Sequence, residues 1–229
     1  MKKIIFKVVI TLTLVFALPP IIARANLISN PGFEQGEAGW QSFKPENSNA
    51  LMRILDNYPV SSHSGSGWAM IWPSSGDTAS DYYGYYQRIL NPTPNQPWRI
   101  SGWIGSGPAY WSGNPQGWIQ VEFYDNTEGG LEHRIWEADI CTPRLSEIIR
   151  GYRYFESPIG YVPHNAKMVQ VVTIVYCPSS QDAGMFGFDD LDLGVVPEPT
   201  TLILFGMGLV GLFLAGRIRK DSDRFLVFR

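Results

Sequence analysis

Charge is scarce in this chain: 17% of its 229 residues are Asp, Glu, Lys or Arg, against about 25% in an ordinary soluble domain. With 23 Gly, 17 Pro and 14% aromatic residues, the composition excludes a coiled coil, a collagen and a long disordered polyampholyte. Histidine is almost as scarce, with His63, His133 and His164 alone. No H-E-x-x-H, C-x-x-C or G-x-S-x-G occurs, so the common zinc-protease, dithiol and serine-hydrolase patterns are missing. His63 belongs to a turn and His164 follows Pro163; both read as structural. A glycosidase needs two facing carboxylates. Glu122 is the best candidate acid but has no nameable partner, and Glu128, Glu132, Glu137 and Asp139 read as a solvated face. A glycoside hydrolase is kept as an alternative, and the expectation is a protein that is not an enzyme.

What charge there is lies unevenly. Residues 1–25 carry four basic residues and no acid, 26–196 carry nine Lys/Arg against eighteen Asp/Glu, and 197–229 carry five against three. All 8 Trp and 11 Tyr fall between Trp40 and Tyr176. An acidic, aromatic middle with a net charge of −9 lacks the positive footprint that nucleic acid requires. Residues 1–25 read as a secretory signal peptide: Lys2, Lys3 and Lys7, then an apolar stretch from Val8 to Ile22, then Ala23 and Ala25 at the positions a signal peptidase reads. Cleavage before Asn26 is expected, with an uncleaved anchor as the alternative.

At the other end, Thr200 to Gly216 contains no charge. As a helix it reaches about 25 Å, the short end of what spans a hydrocarbon core of about 30 Å. Arg217, Arg219 and Lys220 follow, and they are expected to stay cytoplasmic. Pro197-Glu198-Pro199 precedes the apolar run; its two prolines hold the segment extended. The order of Pro-Glu-Pro, single transmembrane helix and basic cluster resembles the PEP-CTERM sorting signal, here residues 197–220. The resemblance implies an exosortase-type transpeptidase as partner, with Pro197, Glu198 and Pro199 as its recognition site. It also implies anchoring in the inner membrane, then release to the cell surface or extracellular matrix of a Gram-negative-type bacterium. The tail 221–229 departs from the pattern and has no assigned role.

Between them, residues 26–196 show short β-rich runs separated by turn clusters: 68–72, 83–90, 98–104, 118–124, 151–155, 168–176 and 185–193. This is the signature of an all-β antiparallel sandwich. Several features resemble, in order, the jelly-roll carbohydrate-binding modules of the galactose-binding-like type. They are Asn26 to Glu34 as the opening strand, Ser61 to Trp68 as the turn before a core strand, Trp98 to Trp103, and Phe186 to Leu193 as the closing strand. Gly102 stands where a bulky core residue is expected, and Asp125 to Glu156 has no counterpart. The resemblance implies that the first and last strands pair. It also implies a structural calcium held by Glu34 with Asp189 or Asp190; otherwise these acids cap turns.

Strand alternation sorts 118–124 into two faces. Ile119, Val121 and Phe123 go to the core, and Trp118, Gln120, Glu122 and Tyr124 form a mixed aromatic and polar face suited to a sugar. Trp103 is expected to join them; burial in the sandwich is the alternative. Tyr110 and Trp111 fall in a Gly/Pro-rich loop, 106–117, and Tyr82 to Tyr86 lie beside another. Cys141 and Cys177 are a candidate disulfide on an oxidising route, with free thiols as the alternative. The expected function is an exported, non-catalytic binding or matrix module with extracellular polysaccharide as ligand, the alternative being a structural surface protein without specific glycan binding.

Overall fold

The run Met168–Cys177 is apolar on nearly every residue, as a strand buried on both faces must be. It is the centre of one of two packed antiparallel sheets in a computed structural model that describes residues 25–56, 62–74 and 81–196, with Gly206 and Gly208. In chain order the strands are β1 (Gln41–Phe43), β2 (Leu51–Asp56), β3 (Gly67–Trp72), β4 (Asp81–Leu90), β5 (Pro97–Ser112), β6 (Gln116–Tyr124), β7 (Ile140–Cys141), β8 (Tyr152–Glu156), β9 (Gly160–Tyr161), β10 (Met168–Cys177) and β11 (Ala183–Val195). One sheet runs β1-β4-β10-β6-β7; the other runs β2-β3-β11-β5-β8, with β9 against the start of β5. The fold is an all-β jelly-roll sandwich.

The period of two decides what each strand gives the core. Tyr83, Tyr85, Val121, Phe123, Val171 and Val175 face inward from the first sheet, and Ile71, Ile100, Ile104, Phe186, Phe188 and Leu193 meet them from the second. Gly102 also faces this layer. A Cβ there would stand 2.6 Å from Leu191 Cδ2 and 2.7 Å from Ile119 Cδ1, so its missing side chain is filled by Leu191 of the neighbouring strand β11 and Ile119 of the opposing sheet.

Three expectations are corrected. Asn26 to Glu34 is not a strand but a series of bends and turns. It is still tied to the last strand, because Leu27 N–H donates to Leu193 O at 2.9 Å and Asn26 Nδ2 to Leu191 O at 2.7 Å. Gln87 pins the rest of the segment over β4 through Ser29 and Gly39. Second, the stretch from Ser106 to Ser112 is strand rather than loop. It extends β5 beside Ala183 to Phe186 across a register shift, so ladder pairing overrides the local Gly/Pro signal. Third, Cys141 and Cys177 are not joined by a disulfide. Cys141 pairs with Gln120, which pairs in turn with Val172, so Cys177 lies five residues, about 17 Å, further along. Cys177 also faces the core while Cys141 faces away from it, beyond disulfide reach.

No helix among the described residues is long and apolar enough to cross a membrane. The signal peptide, with Ala23, and the tail residues Pro197, Glu198, Pro199, Arg217, Arg219 and Lys220 lie outside the described residues; Ala25 is described and exposed.

Candidate functional site: a groove on one sheet

The outward face of the β1-β4-β10-β6-β7 sheet is a groove of about 730 Å³, within the size range of small-ligand sites. Register sets the residues of this sheet face in rows: Tyr82, Tyr176 and Gln116; Gly84, Ile174 and Trp118; Tyr86, Val172 and Gln120; Arg88, Gln170 and Glu122. One end is aromatic. Tyr82 and Tyr176 stack at 4.6 Å, and Phe43 and Tyr86 lie 6.3 Å apart. The other end is polar. The irregular stretch after β6 supplies its wall, including Leu131, Arg134, Trp136 and Asp139.

Trp118, Gln120, Glu122 and Tyr124 therefore share one face and line this groove. All four are buried, at 3 to 6% exposure, and they are already engaged. Trp118 Nε1 donates to Gln120 Oε1 at 2.7 Å, and Arg144 lies 4.3 Å over its ring. Glu122 receives the Tyr124 hydroxyl at 2.6 Å and the Gln120 and Gln170 amides at 3.2 and 3.3 Å. Arg134 Nη1 pairs with Glu122 at 2.9 Å and Nη2 with Asp139 at 2.6 Å. Burial pushes the Glu122 carboxyl above its ordinary range, with Arg134 and Tyr124 opposing, and burial raises Asp139 likewise. Cys141, on the same face, is pushed up to about 11, chiefly by burial.

The rings most open to solvent across this floor are Tyr82, at 50% exposure, and Trp136, at 55%, whose ring lies 3.8 Å under the Arg134 guanidinium. Trp136, Arg134 and Arg144 come from a stretch whose irregular backbone gives no periodic signal, so alternation could not place them. Asp139 is not part of a solvated face; Arg134 draws it inward. Trp103 is not in the groove. It sits on β5 in the opposite sheet, stacked at 3.6 Å on His63 and 5.5 Å from Tyr154, because β5 and β6 belong to different layers.

Two of the acids implied for calcium, Asp189 and Asp190, meet His63 at another corner, while the Glu34 carboxylate is bonded to the adjacent Ser66–Gly67 turn. Asp189, fully buried, accepts the His63 and Ser64 N–H groups at 2.8 and 3.1 Å. Asp190 accepts His63 Nδ1 at 2.7 Å and the Ser64 hydroxyl at 2.8 Å. Glu34 accepts Ser66 and Gly67 N–H groups at 3.0 Å, which hold its carboxyl below the ordinary range. Burial pushes Asp189 up to about 6. Gly32 stands between these acids: a Cβ there would lie 3.2 Å from Asp190 Oδ1 and 3.8 Å from Glu34 Cγ. Among the described residues the one basic side chain bonded to them is His63, through Asp190, and His63, Asp189 and Asp190 place one ligand atom each within 4.8 Å of one another. Two carboxylates and an imidazole are groups that can ligate a divalent ion, and Glu34 is not one of these three. The three acids are expected from the sequence, and His63, expected only as a turn residue, joins Asp189 and Asp190.

The fold is that of β-sandwich carbohydrate-binding modules. TmCBM61, solved with β-1,4-galactotriose, aligns with a TM-score of 0.50 at 15% identity, over 75% of this chain and 99% of that module. The C-terminal family 22 carbohydrate-binding module of Clostridium thermocellum Xyn10B aligns at 0.50 and 13%, over 76% and 96%. The enzymatically active domain of bacteriophage CBA120 tailspike protein 4 aligns at 0.52 and 14%, over 75% of this chain but 21% of that one. Residues 195–220 match the PEP-CTERM protein-sorting motif. That motif implies an exosortase partner, export, and anchoring by the C-terminal tail before processing. Among curated proteins none matches the chain in sequence.

Proposed function

We propose that the sandwich is a non-catalytic polysaccharide-binding module, which the sorting tail delivers to the cell surface or extracellular matrix of a Gram-negative-type bacterium. The observation that carries this reading is the groove. It joins exposed rings, Tyr82 and Trp136, to a fixed row of amides and charges, the mixture that stacks on sugar faces and bonds to hydroxyls. The absence of catalysis is supported by the state of its two carboxylates: Glu122 and Asp139 share one arginine and leave no free acid and base pair.

Support for the signal peptide comes from Asn26, the residue expected to follow cleavage, which is built into the edge of β11. Calcium at the corner of Glu34, Asp189 and Asp190 would tie the opening segment to the 62–67 turn and the last strand. Burial of Trp118 and Tyr124 favours a second reading, a structural surface protein whose aromatics only pack. Retention on immobilised polysaccharides separates the two. The full chain in detergent is expected to bind at least one polysaccharide, and Tyr82→Ala with Trp136→Ala is expected to abolish retention without unfolding the protein. Retention unchanged in that double variant defeats the groove as the site, and no retention on any matrix favours the structural reading.

A further inference from the structure

We propose that the groove selects a glycan bearing anionic groups, carboxylate or sulfate, on its sugar rings; this rests on the reading of the groove as a polysaccharide site. The sign of the charge changes between the domain and its groove. Residues 26–196 hold nine Lys/Arg against eighteen Asp/Glu. The groove is lined by Arg88, Arg134 and Arg144 against two carboxylates, Glu122 and Asp139. Arg134 pairs with both of those carboxylates.

That leaves two guanidinium groups facing the groove without a carboxylate partner among the described residues. Arg88 Nε donates to Gln170 Oε1 at 3.4 Å, and Arg144 Nη1 donates to Gln116 Oε1 at 2.8 Å. Both partners are neutral amides. A guanidinium has five N–H donors in a rigid fork that fits an anion with two oxygens side by side. Most of the fork stays open in each case, and both side chains are exposed. Each is also held against a ring, Arg88 at 5.4 Å from the Tyr86 centroid and Arg144 at 4.3 Å from that of Trp118. A side chain ordered in advance loses less freedom when a ligand arrives.

The two arginines address different parts of a chain-like ligand. Arg88 stands in the row of Gln170 and Glu122, while the ring beneath Arg144 stands in the row of Gly84 and Ile174. These rows are four residues, about 13 Å, apart along the strands. An anion repeated along a polymer meets both, whereas a single free anion meets one. Tyr82, beyond the row of Trp118, and Trp136, beside Arg134, offer rings to the sugars themselves.

The test is calorimetric titration of the full chain in detergent with three hexasaccharides. β-1,4-Glucan and β-1,4-glucuronan differ only in oxidation at C6, and a sulfated β-1,4-glucan supplies the second anion. At least one anionic hexasaccharide is expected to bind about tenfold more tightly than the neutral one. The advantage is expected to shrink between about 50 mM and 500 mM salt as screening shortens. The tighter of the two anions identifies its source. Arg88→Gln and Arg144→Gln are each expected to remove most of the advantage, and Arg144→Lys to retain part of it; thermal melts check that the variants fold, and Arg88→Gln carries the test if Arg144→Gln does not. Equal binding of the neutral sugar, or an anionic preference intact in the glutamine variants, overturns the charge inference while leaving the glycan reading in place. Binding of none of the three overturns both.

Discussion

Arg134 holds the polar end of the groove together. It is one side chain between two carboxylates, and all three are at most 13% exposed. Removing a buried cation strands its partners, at a cost of about 3–5 kcal/mol. Arg134→Met is therefore expected to destabilise the protein by about that amount in urea titration, and Glu122→Gln, which keeps the shape and removes a charge, by clearly less. The reverse order would mean that Arg134 is held by Trp136 stacking alone. The same trio sets a pH dependence. Burial raises the Glu122 carboxyl above the ordinary 4.5, so the folded state holds that proton longer than the unfolded state. Stability from this group is present at low pH and lost as pH rises from the ordinary value through the raised one. Glu122→Gln cannot ionise, so its melting temperature is expected to fall less than that of the parent between about pH 4 and pH 8; Asp139, also raised, keeps some of the fall. Parallel slopes would remove Glu122 from this effect. The face of Glu122 was legible in the sequence because alternation needs only a strand. Its arginine was not, since Arg134 reaches it from outside any regular element.

At the scale of elements, the seven β-rich runs all fall on strands, most with several buried apolar residues at alternate positions and β8 with Phe155 alone. The misses have a common cause. β1 and β7 have three and two residues, too short for a period to show, and β2 has no fully buried residue. The assignment of Trp103 failed one level higher: parity shows which residues of a strand share a face, but not which sheet the strand joins. The turn before β3 was legible through its Ser and Gly residues, and Gly67 shows why glycine is needed. A Cβ there would lie 2.4 Å from Phe33 O and 2.8 Å from Glu34 N. These are backbone atoms that cannot rotate away, and Phe33 already has a φ of 57°. Gly67→Ala is expected to cost at least about 2 kcal/mol, read as a lowered denaturation midpoint. Gly102→Ala meets only the mobile ends of Leu191 and Ile119 and is expected to cost less. A Gly67→Ala protein as stable as the parent would show that the opening segment can lift from β3.

The sandwich is organised by where its opening segment meets its last strand. Leu27 bonds to Leu193 and Val196 to Pro97, so the segment after the expected signal cleavage and the segment before the sorting motif leave the sandwich at neighbouring places. The sorting motif was readable in the sequence and the signal peptide is expected from charge and hydropathy, but the adjacency of Leu27 to Leu193 is a property of the fold. The carboxylate corner joins the same three distant stretches: Glu34 from the opening segment, His63 to Gly67 from the turn, and Asp189 and Asp190 from β11. An ion bound there acts only on the folded chain, where those stretches are together, so it stabilises by mass action. At a calcium concentration about one hundred times its dissociation constant the gain is about 2.7 kcal/mol. For a sandwich of this size that is about 5–10 °C in melting temperature. Chelation is expected to lower the melting temperature by that amount, calcium to restore it, and magnesium, which resists irregular oxygen cages, to restore little. Asp189→Asn with Asp190→Asn is expected to melt at one temperature with or without calcium. A parent protein indifferent to chelator would instead leave the acids as turn caps, with the His63 ring and the backbone N–H groups of the 63–67 turn holding the corner closed.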